Sequence, residues 1–388
     1  STIHEKEAVQ SNLITIQYNG VEYYKGSIEI NYYPWYPEEG GVVASIQKEI
    51  QIRPSIDNKV SIPLSIPDAL LWHPNHPNLY KVEVILKDKT GKAIDDYVTT
   101  TGIRTITQEG GKLYINNQVE MLNGAQILSY RYPIETIAKT NRCVSDETII
   151  QDLLQIKKMN GNMLRIHVHA EKDTIDGIND PRYAEYADQL GVYLLWQTAG
   201  WVREGEAWNV DFKGYPKYIK QVYNHPSIVT WVIFNEGWGQ FQTKKMTDIV
   251  RAEDPYRLTD SASGWFDQGC GDIRSIHDYF FPLHVTPEKR VTALTEFGGY
   301  SLQIPKHSMY EKKVYGYKKF KRKRELTAGY EKLIKKLIIP NISRGLSATV
   351  YTQLSDIEEE VNGIISYDRK IVKMDEKTVK KLNEKLHF

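Results

Sequence analysis

The sequence is poor in cysteine, in excess charge and in long apolar runs. Its two cysteines, Cys143 and Cys270, cannot form a disulfide framework, so the compartment stays open, with a slight preference for the cytoplasm over secretion. Lys and Arg number 50 against 49 Asp and Glu, and this balance predicts neither nucleic acid nor an anionic membrane as a partner. No apolar stretch reaches the roughly 18 residues of a membrane span, and no signal peptide is visible.

Several catalytic motifs are also missing. The sequence contains no Gly-x-Ser-x-Gly and no phosphate loop, and GCGDIR (269–274) lacks the third glycine of a dinucleotide fingerprint. Serine hydrolases of that type and nucleotide-dependent enzymes are therefore disfavoured. Tyr and Trp are plentiful, at 26 and 8 residues, and their rings could stack on sugars or fill a core.

The first hundred or so residues have a sequence pattern that is typical of antiparallel strands. The segments 59–66, 78–88 and 95–105 alternate apolar and polar residues, and turn residues such as Gly40-Gly41 and Asp57-Asn58 separate the runs. No helical period is present. This pattern predicts a β-sandwich of about one hundred residues.

From about residue 107, short apolar strands alternate with helical patterns. Helices are predicted near 146–160, 212–223 and 375–386, and another ends at Gly191. Eight strands over roughly 280 residues fit a (β/α)8 barrel. The strand candidates are 121–125, 162–169, 192–197, 228–234, 257–263, 272–279, 291–297 and 346–352.

Two glutamates stand where barrel active sites form. Glu236 and Glu296 lie at the ends of the fourth and seventh predicted strands, and active sites lie at the carboxyl ends of barrel strands. A lone glutamate there is most simply an ion-paired strand end. Two on one barrel favour the glycosidase pair, in which one carboxyl protonates the leaving oxygen and the other attacks the anomeric carbon.

Several segments resemble glycoside hydrolase family 2. NHPSIVTWVIFNEGWGQ (224–240) resembles its acid/base segment, and LTEFGGYS (294–301) resembles its nucleophile segment. LLWHPNHPNLYKVEVIL (70–86) resembles its immunoglobulin-like domain, and 345–369 resembles its eighth strand and following loop. The resemblance implies an immunoglobulin-like β-sandwich over residues 1–106 and a TIM (β/α)8 barrel over residues 107–388, in the branch with Phe-Asn-Glu-Gly-Trp-Gly.

The resemblance also implies roles for single residues. Glu236 would be the general acid/base and Glu296 the nucleophile, while Arg165 would lie near Glu296 and lower its pKa. Asn235 would donate to or accept from the sugar 2-hydroxyl. The further candidate substrate-binding residues are His167, Trp238, Trp265, His277, Tyr279 and Gln353.

The sequence departs from the family pattern at three places that bear on the sugar. Gln197 stands where many β-galactosidases have Glu, and VYTQLSD (350–356) lacks their Trp-rich eighth strand. VNGI (361–364) lacks the Asn-x-Lys of β-glucuronidases. The sugar, its linkage and the aglycone therefore stay open. The family's N-terminal jelly roll has no counterpart, and the chain begins with Ser rather than Met, which is consistent with removal of an upstream part.

Two other classes of protein remain as alternatives. His167 and His169 lie on one side of a strand, and with His277 they could hold a metal for a metal-dependent (amido)hydrolase. A catalytically silent carbohydrate-binding barrel would keep the aromatic residues but lose a carboxylate. The basic stretch 311–336 suggests a polyanion site when taken alone, but a solvated loop and helix between the seventh and eighth strands explains it better.

The sequence therefore predicts a retaining exo-β-glycosidase that acts on terminal β-linked sugars by double displacement. We expect a carbohydrate substrate, no cofactor, no nucleic acid and no membrane partner. The oligomeric state stays open, with a homo-oligomer allowed.

Overall fold

The computed structural model describes the 388-residue chain except for residues 5–6, 130–144, 169–179, 198–200, 205–206, 211, 238 and 313. The chain divides into two units. The first is Ser1–Thr105 with Asn224–Pro226, and the second is Ile106–Tyr223 with Ser227–Phe388. The boundary that we place between residues 106 and 107 stays a prediction.

The first unit is built from antiparallel strands, as the alternating sequence predicts. Its larger sheets have the strand orders β1-β2-β5 and β4-β3-β8-β9, and β6 pairs with β7. The strands are β1 (Thr2–His4), β2 (Glu7–Tyr18), β3 (Tyr24–Tyr36), β4 (Ala44–Ile52), β5 (Ser55–Pro67), β6 (Trp72–His73), β7 (His76–Pro77), β8 (Leu79–Lys87) and β9 (Ala93–Thr101).

The period of two along these strands places apolar residues between the two sheets. Ile62, Leu64 and Ile66 of β5 are buried, whereas the residues between them are exposed. Ile28 and Ile30 of β3, in the other sheet, belong to the same buried cluster. Two sheets that share one apolar core make a β-sandwich, which confirms the predicted architecture of this unit.

The second unit contains an eight-stranded parallel sheet. Its order is β19-β18-β15-β14-β13-β24-β21-β20, so the strands follow one another around a barrel. The strands of this unit are β10 (Ile106–Glu109), β11 (Lys112–Ile115), β12 (Gln118–Val119), β13 (Leu122–Ser129), β14 (Met163–Val168), β15 (Tyr193–Gln197), β16 (Trp201–Glu204), β17 (Ala207–Val210), β18 (Ile228–Asn235), β19 (Leu258–Ser263), β20 (Ile273–Asp278), β21 (Val291–Gly298), β22 (Tyr300–Leu302), β23 (Lys318–Phe320) and β24 (Leu346–Thr352).

The two edge strands of this sheet, β19 and β20, meet and nearly close the barrel. The amide of Asp272 donates to the carbonyl of Thr259 at 2.9 Å, and the hydroxyl oxygens of Ser263 and Ser275 lie 3.2 Å apart. All eight predicted strand segments overlap the observed barrel strands. The predicted (β/α)8 barrel is therefore confirmed.

Helices cover the outside of the barrel where the sequence has a helical period. Ser145 accepts from the amide of Thr148 and caps the first helix, and Gly191 ends the second with φ +77°. The helices are α1 (Asp146–Lys158), α2 (Arg182–Leu190), α3 (Tyr215–Val222), α4 (Thr243–Glu253), α5 (Lys323–Leu333), the π-helix Ile334–Ile338, α6 (Ile339–Ile342) and α7 (Glu376–Asn383).

Helix α4 is absent from the sequence-based prediction. Its buried face is formed by Thr243, Met246, Thr247 and Val250, so half of that face is polar and the apolar period is weak. Within the described parts of the chain, no helix combines the length and the apolarity needed to cross a membrane.

Candidate active site

The backbone at the end of β18 turns sharply at the first predicted catalytic residue. Glu236 follows the strand directly with φ +50°, an uncommon conformation for a residue with a side chain, and Gly237 continues at +78°. The amide of Glu236 donates to the carbonyl of Ser263 at the end of β19, at 2.9 Å. Strand β18 is buried along its length, so this turn brings Glu236 out of the barrel core at its carboxyl edge.

The two predicted catalytic carboxylates meet at this edge. One carboxylate oxygen of Glu236, one of Glu296 and a ring nitrogen of His277 all lie within 4.8 Å of one another. Retaining glycosidases hold their carboxyl groups about 5–5.5 Å apart, whereas inverting enzymes leave about 6.5–9.5 Å for a water molecule. The side chain of Glu296 is 6% exposed and that of Glu236 is 23% exposed, so the two groups differ in their access to water.

Arg165, on β14, is fully buried beneath the carboxylates. One of its guanidinium nitrogens donates to Asn235 Oδ1 at 2.8 Å and to Ser263 Oγ at 3.0 Å. The other donates to Gln126 and lies 3.6 Å from Glu296 Oε2. This is the neighbourhood of Glu296 that the sequence predicts for Arg165. It also holds the Asn235 amide in one orientation.

Charges around Glu296 favour its ionised form. Burial alone would raise the pKa of Glu296, but the positive charges of His277 and Arg165 outweigh burial and hold that pKa well below its usual range. The pKa of His277 is raised in turn. Burial disfavours the imidazolium and would lower this pKa, but the negative charges of Glu296 and Glu236 outweigh the effect of burial.

The imidazole of His277 lies between both carboxylates. Its Nδ1 is 2.9 Å from Glu296 Oε2 and 3.3 Å from Glu236 Oε2, and its Nε2 lies 3.2 Å from Ser263 Oγ. Nδ1 and Glu296 Oε2 lack a well-aligned hydrogen bond despite the short distance. Their contact is therefore chiefly electrostatic.

Tyr279 provides the clearest hydrogen bond to the buried carboxylate. Its hydroxyl donates to Glu296 Oε1 at 2.6 Å. Burial and the charge of Glu296 raise the pKa of Tyr279 well above its usual value, so the phenol stays protonated and remains a donor. Tyr317 packs its ring on Tyr279, with ring centroids 4.2 Å apart, and is 40% exposed.

The other predicted substrate-binding residues lie around this centre with different partners. His167 Nδ1 contacts Gln197 Oε1, and the charge of His167 also acts on Glu296. Gln353 follows β24, is 1% exposed and donates to Glu360. Trp265 is half exposed in the turn after β19. Trp238 lies outside the described residues.

The metal alternative has a different residue set from the one we expected. Among the described residues, the groups close enough together to share a metal ion are Glu236, His277 and Glu296. His167 contacts Gln197 instead, and His169 lies outside the described residues. The histidine set expected from the sequence is therefore not assembled by the part of the chain that the structure describes.

The structure adds residues that the sequence analysis did not select. Gln126 on β13 and Ser263 on β19 both accept hydrogen bonds from Arg165. Asp260 on β19 is fully buried, and burial raises its pKa to about 6 despite the opposing charge of Arg165. The only sequence sign of these three was their polarity, since Asp260 and Ser263 lie inside a predicted barrel strand and Gln126 directly follows one. Glu360 was hidden in a run of three glutamates.

Two family models match the chain. The model for Glycosyl hydrolases family 2 matches residues 5–104, and the model for Glycosyl hydrolases family 2, TIM barrel domain, matches residues 106–289. A β-galactosidase of Leuconostoc mesenteroides subsp. mesenteroides is 28% identical over 236 residues, which are 58% of this chain and 21% of that protein. A putative β-glucuronidase of Formosa agariphila is 31% identical over 177 residues, 44% of this chain and 20% of that protein.

The chain thus spans about a fifth of the length of these two relatives. Among solved structures, a putative β-galactosidase from Bacteroides fragilis matches with a TM-score of 0.71 and 17% identity. The match covers 100% of this chain and 59% of that chain. At this identity the similarity supports the fold alone.

Proposed function

Since this chain belongs to glycoside hydrolase family 2, we propose that it hydrolyses terminal β-linked sugars with retention of configuration. The observation that carries this proposal is the approach of Glu236 and Glu296, whose nearest oxygens lie within 4.8 Å at the carboxyl edge of the barrel. That distance is close to the roughly 5–5.5 Å of retaining glycosidases and shorter than the about 6.5–9.5 Å that inverting enzymes leave for a water molecule, so it favours covalent attack by one carboxylate.

In the first step, the ionised Glu296 attacks the anomeric carbon while Glu236 gives its proton to the leaving oxygen. The glycosidic C–O bond breaks, the aglycone departs as an alcohol, and the sugar remains esterified to Glu296. In the second step, Glu236 takes a proton from water, and the resulting hydroxide displaces Glu296 from the anomeric carbon. Both carboxyl groups then return to their starting states.

The surrounding residues support this assignment of roles. The Tyr279 hydroxyl and the charges of Arg165 and His277 stabilise the negative charge on Glu296 before attack. Asn235 would hydrogen-bond the sugar 2-hydroxyl, because its amide is oriented by Arg165 and lies 3.5 Å from Glu236.

The other predicted contacts complete the proposed sugar pocket. His167 and Gln353 would bind sugar hydroxyls, and Trp238 and Trp265 would stack on the ring. The proposal requires no cofactor. Its substrate is a carbohydrate, and the relatives named β-galactosidase and β-glucuronidase leave two sugar classes to test.

A panel of 4-nitrophenyl β-glycosides tests the proposal. Replacing Glu296 by Gln should remove turnover of every substrate that the unaltered chain hydrolyses, because the amide cannot act as the nucleophile. Glu185→Gln, an exposed carboxylate on α2, is the matched control and should leave turnover unchanged. Unchanged turnover in Glu296→Gln would contradict the assigned nucleophile.

The second carboxylate is tested with leaving groups of different acidity. Glu236→Ala should slow hydrolysis of alkyl β-glycosides far more than that of dinitrophenyl β-glycosides, whose leaving groups need little protonation. Added azide should accelerate the second step in this variant, because it can replace activated water. Equal losses on both kinds of substrate would rule out the acid role.

A further inference from the structure

Glu360 is a third carboxyl at the active-site end of the barrel, and the proposed mechanism does not use it. It lies in the segment after β24, where its Oε2 accepts from Gln353 Nε2 at 2.9 Å. The same nitrogen donates to Asn362 Oδ1 at 2.8 Å. The backbone here is held as well, since the amide of Val361 donates to the carbonyl of Tyr315 at 3.1 Å.

The environment of Glu360 is dominated by other acidic groups. The pKa of Glu360 is raised to about 7, chiefly by burial and also by the charges of Glu359, Glu296 and Glu358. The hydrogen bond from Gln353 opposes them. Gln353 directly follows β24, so the hydrogen bond that it donates places this carboxyl at the barrel edge where the strands end, the edge that also carries the proposed nucleophile.

Two buried cations of the described part of the chain, Lys373 and Arg165, are already committed to other partners. Lys373 is buried and donates to Asp356 at 2.6 Å and to the carbonyl of Val361 at 2.8 Å. Arg165 is buried among its own acceptors beneath the carboxylates. Neither guanidinium nor ammonium can therefore neutralise a further carboxylate beside Glu360 without leaving its present partner.

We propose that Glu360 makes this pocket selective for neutral sugars and against uronic acids, because the hydrogen bond from Gln353 holds it at the barrel edge that carries the proposed nucleophile. The inference rests on the proposed function and narrows the class of sugars on which that function would act. A uronate would add a carboxylate to a group of acidic residues beside which the described cations Lys373 and Arg165 already have partners, and like charges in a partly buried site repel strongly. A neutral sugar offers hydroxyl groups that can donate to Glu360 instead.

Binding of non-hydrolysable ligands tests this without requiring turnover. Phenyl 1-thio-β-D-glucoside and its galacto epimer are compared with the matching thio-uronides by titration calorimetry at about pH 5.5 and about pH 8.5. The sugar carboxylate stays ionised throughout, whereas Glu360 becomes ionised across this interval. We expect tighter binding of a neutral member at both pH values, and a preference about tenfold larger at the higher pH.

Two variants separate Glu360 from other groups that titrate, such as His277. Glu360→Gln should retain binding of the neutral ligand and lose most of the pH-dependent preference. Glu185→Gln removes an exposed carboxylate from α2 and should keep the pH-dependent preference. Equal or tighter binding of a uronide at the higher pH would overturn the inference, as would failure of every neutral ligand to bind, or an unchanged preference in Glu360→Gln.

These outcomes are distinct from those that test the proposed function. A chain that binds neutral thioglycosides selectively but hydrolyses no aryl glycoside would support the role of Glu360 and contradict the proposed catalysis. A chain that hydrolyses aryl uronides best would support catalysis and contradict the role of Glu360.

Discussion

Replacing His277 by Asn tests the electrostatic account of the site directly. Its imidazole lies 2.9 Å from one carboxylate oxygen of Glu296 and 3.3 Å from one of Glu236. Asn keeps a small polar side chain but carries no charge. The proposed nucleophile Glu296 must be ionised to attack, so a change in the stability of its charge should appear in the pH dependence of catalysis.

The size of the effect follows from the distance between the charges. At an effective dielectric constant of about 20, unit charges 2.9 Å apart attract by roughly 6 kcal/mol. Burial of the imidazolium offsets part of this energy. A quarter of it, about 1.4 kcal/mol, suffices to change a pKa by one unit.

The direction of the shift is fixed by the sign of the charge removed. In the unaltered chain, His277 and Arg165 lower the pKa of Glu296 although burial opposes them. Loss of the imidazolium therefore raises that pKa and moves the acidic limb of the kcat/KM profile to higher pH, by at least about one unit.

Steady-state kinetics on the best aryl β-glycoside, in short assays from about pH 2 to about pH 9, measure this limb. His284→Asn is the control, because His284 lies on the loop after β20 and contacts Arg344 rather than the carboxylates. Its profile should match that of the unaltered chain. An acidic limb that stays in place or moves to lower pH in His277→Asn would refute the reasoning.

Two further predictions concern a hydrogen bond and a buried ion pair. Tyr279→Phe removes the 2.6 Å donor to Glu296, so kcat should fall by about tenfold or more while the circular dichroism spectrum stays unchanged; an unaffected kcat would count against this contact. Asp254→Ala leaves the buried guanidinium of Arg257 without its partner at 2.9 Å, and urea denaturation should show a loss of about 3–5 kcal/mol in the free energy of unfolding. Asp248→Ala breaks only an exposed pair with Lys244 on α4, the helix that ends directly before Asp254, and should cost less than about 1 kcal/mol, so equal losses would contradict the explanation.

The barrel was predictable because its strands are short, buried on both faces and separated by helices with a clear period. The run at 228–234 became β18, and LSATVYT became β24 with the predicted bounds. Helix α4 was missed because polar threonines occupy half of its buried face. Periodicity detects an apolar face, and this helix has little of one.

The same limit applies to the aromatic residues of the basic stretch between β21 and β24. The sequence alone does not indicate where Tyr317 and Tyr330 of this stretch lie. Tyr317 packs on Tyr279 and is partly exposed, whereas Tyr330 is buried and donates to Asn383. Nothing local distinguishes the two tyrosines, because their surroundings come from distant segments.

By itself, the sequence determined which chemical groups stand at the ends of the barrel strands. Glu236 follows one apolar run and Glu296 lies near the end of another, and these local patterns predict that both residues lie at the carboxyl ends of strands. Local patterns also determined the order of sandwich and barrel, because period and turn residues act over a few positions.

Only the tertiary structure decided how these groups act on one another. The approach of Glu236 and Glu296, the imidazole between them and the bond from Gln353 to Glu360 each join segments that only folding brings together. Burial and neighbouring charge set the protonation of each carboxyl, and both depend on long-range packing. A strand-end glutamate acquires its pKa only when the barrel places its partners around it.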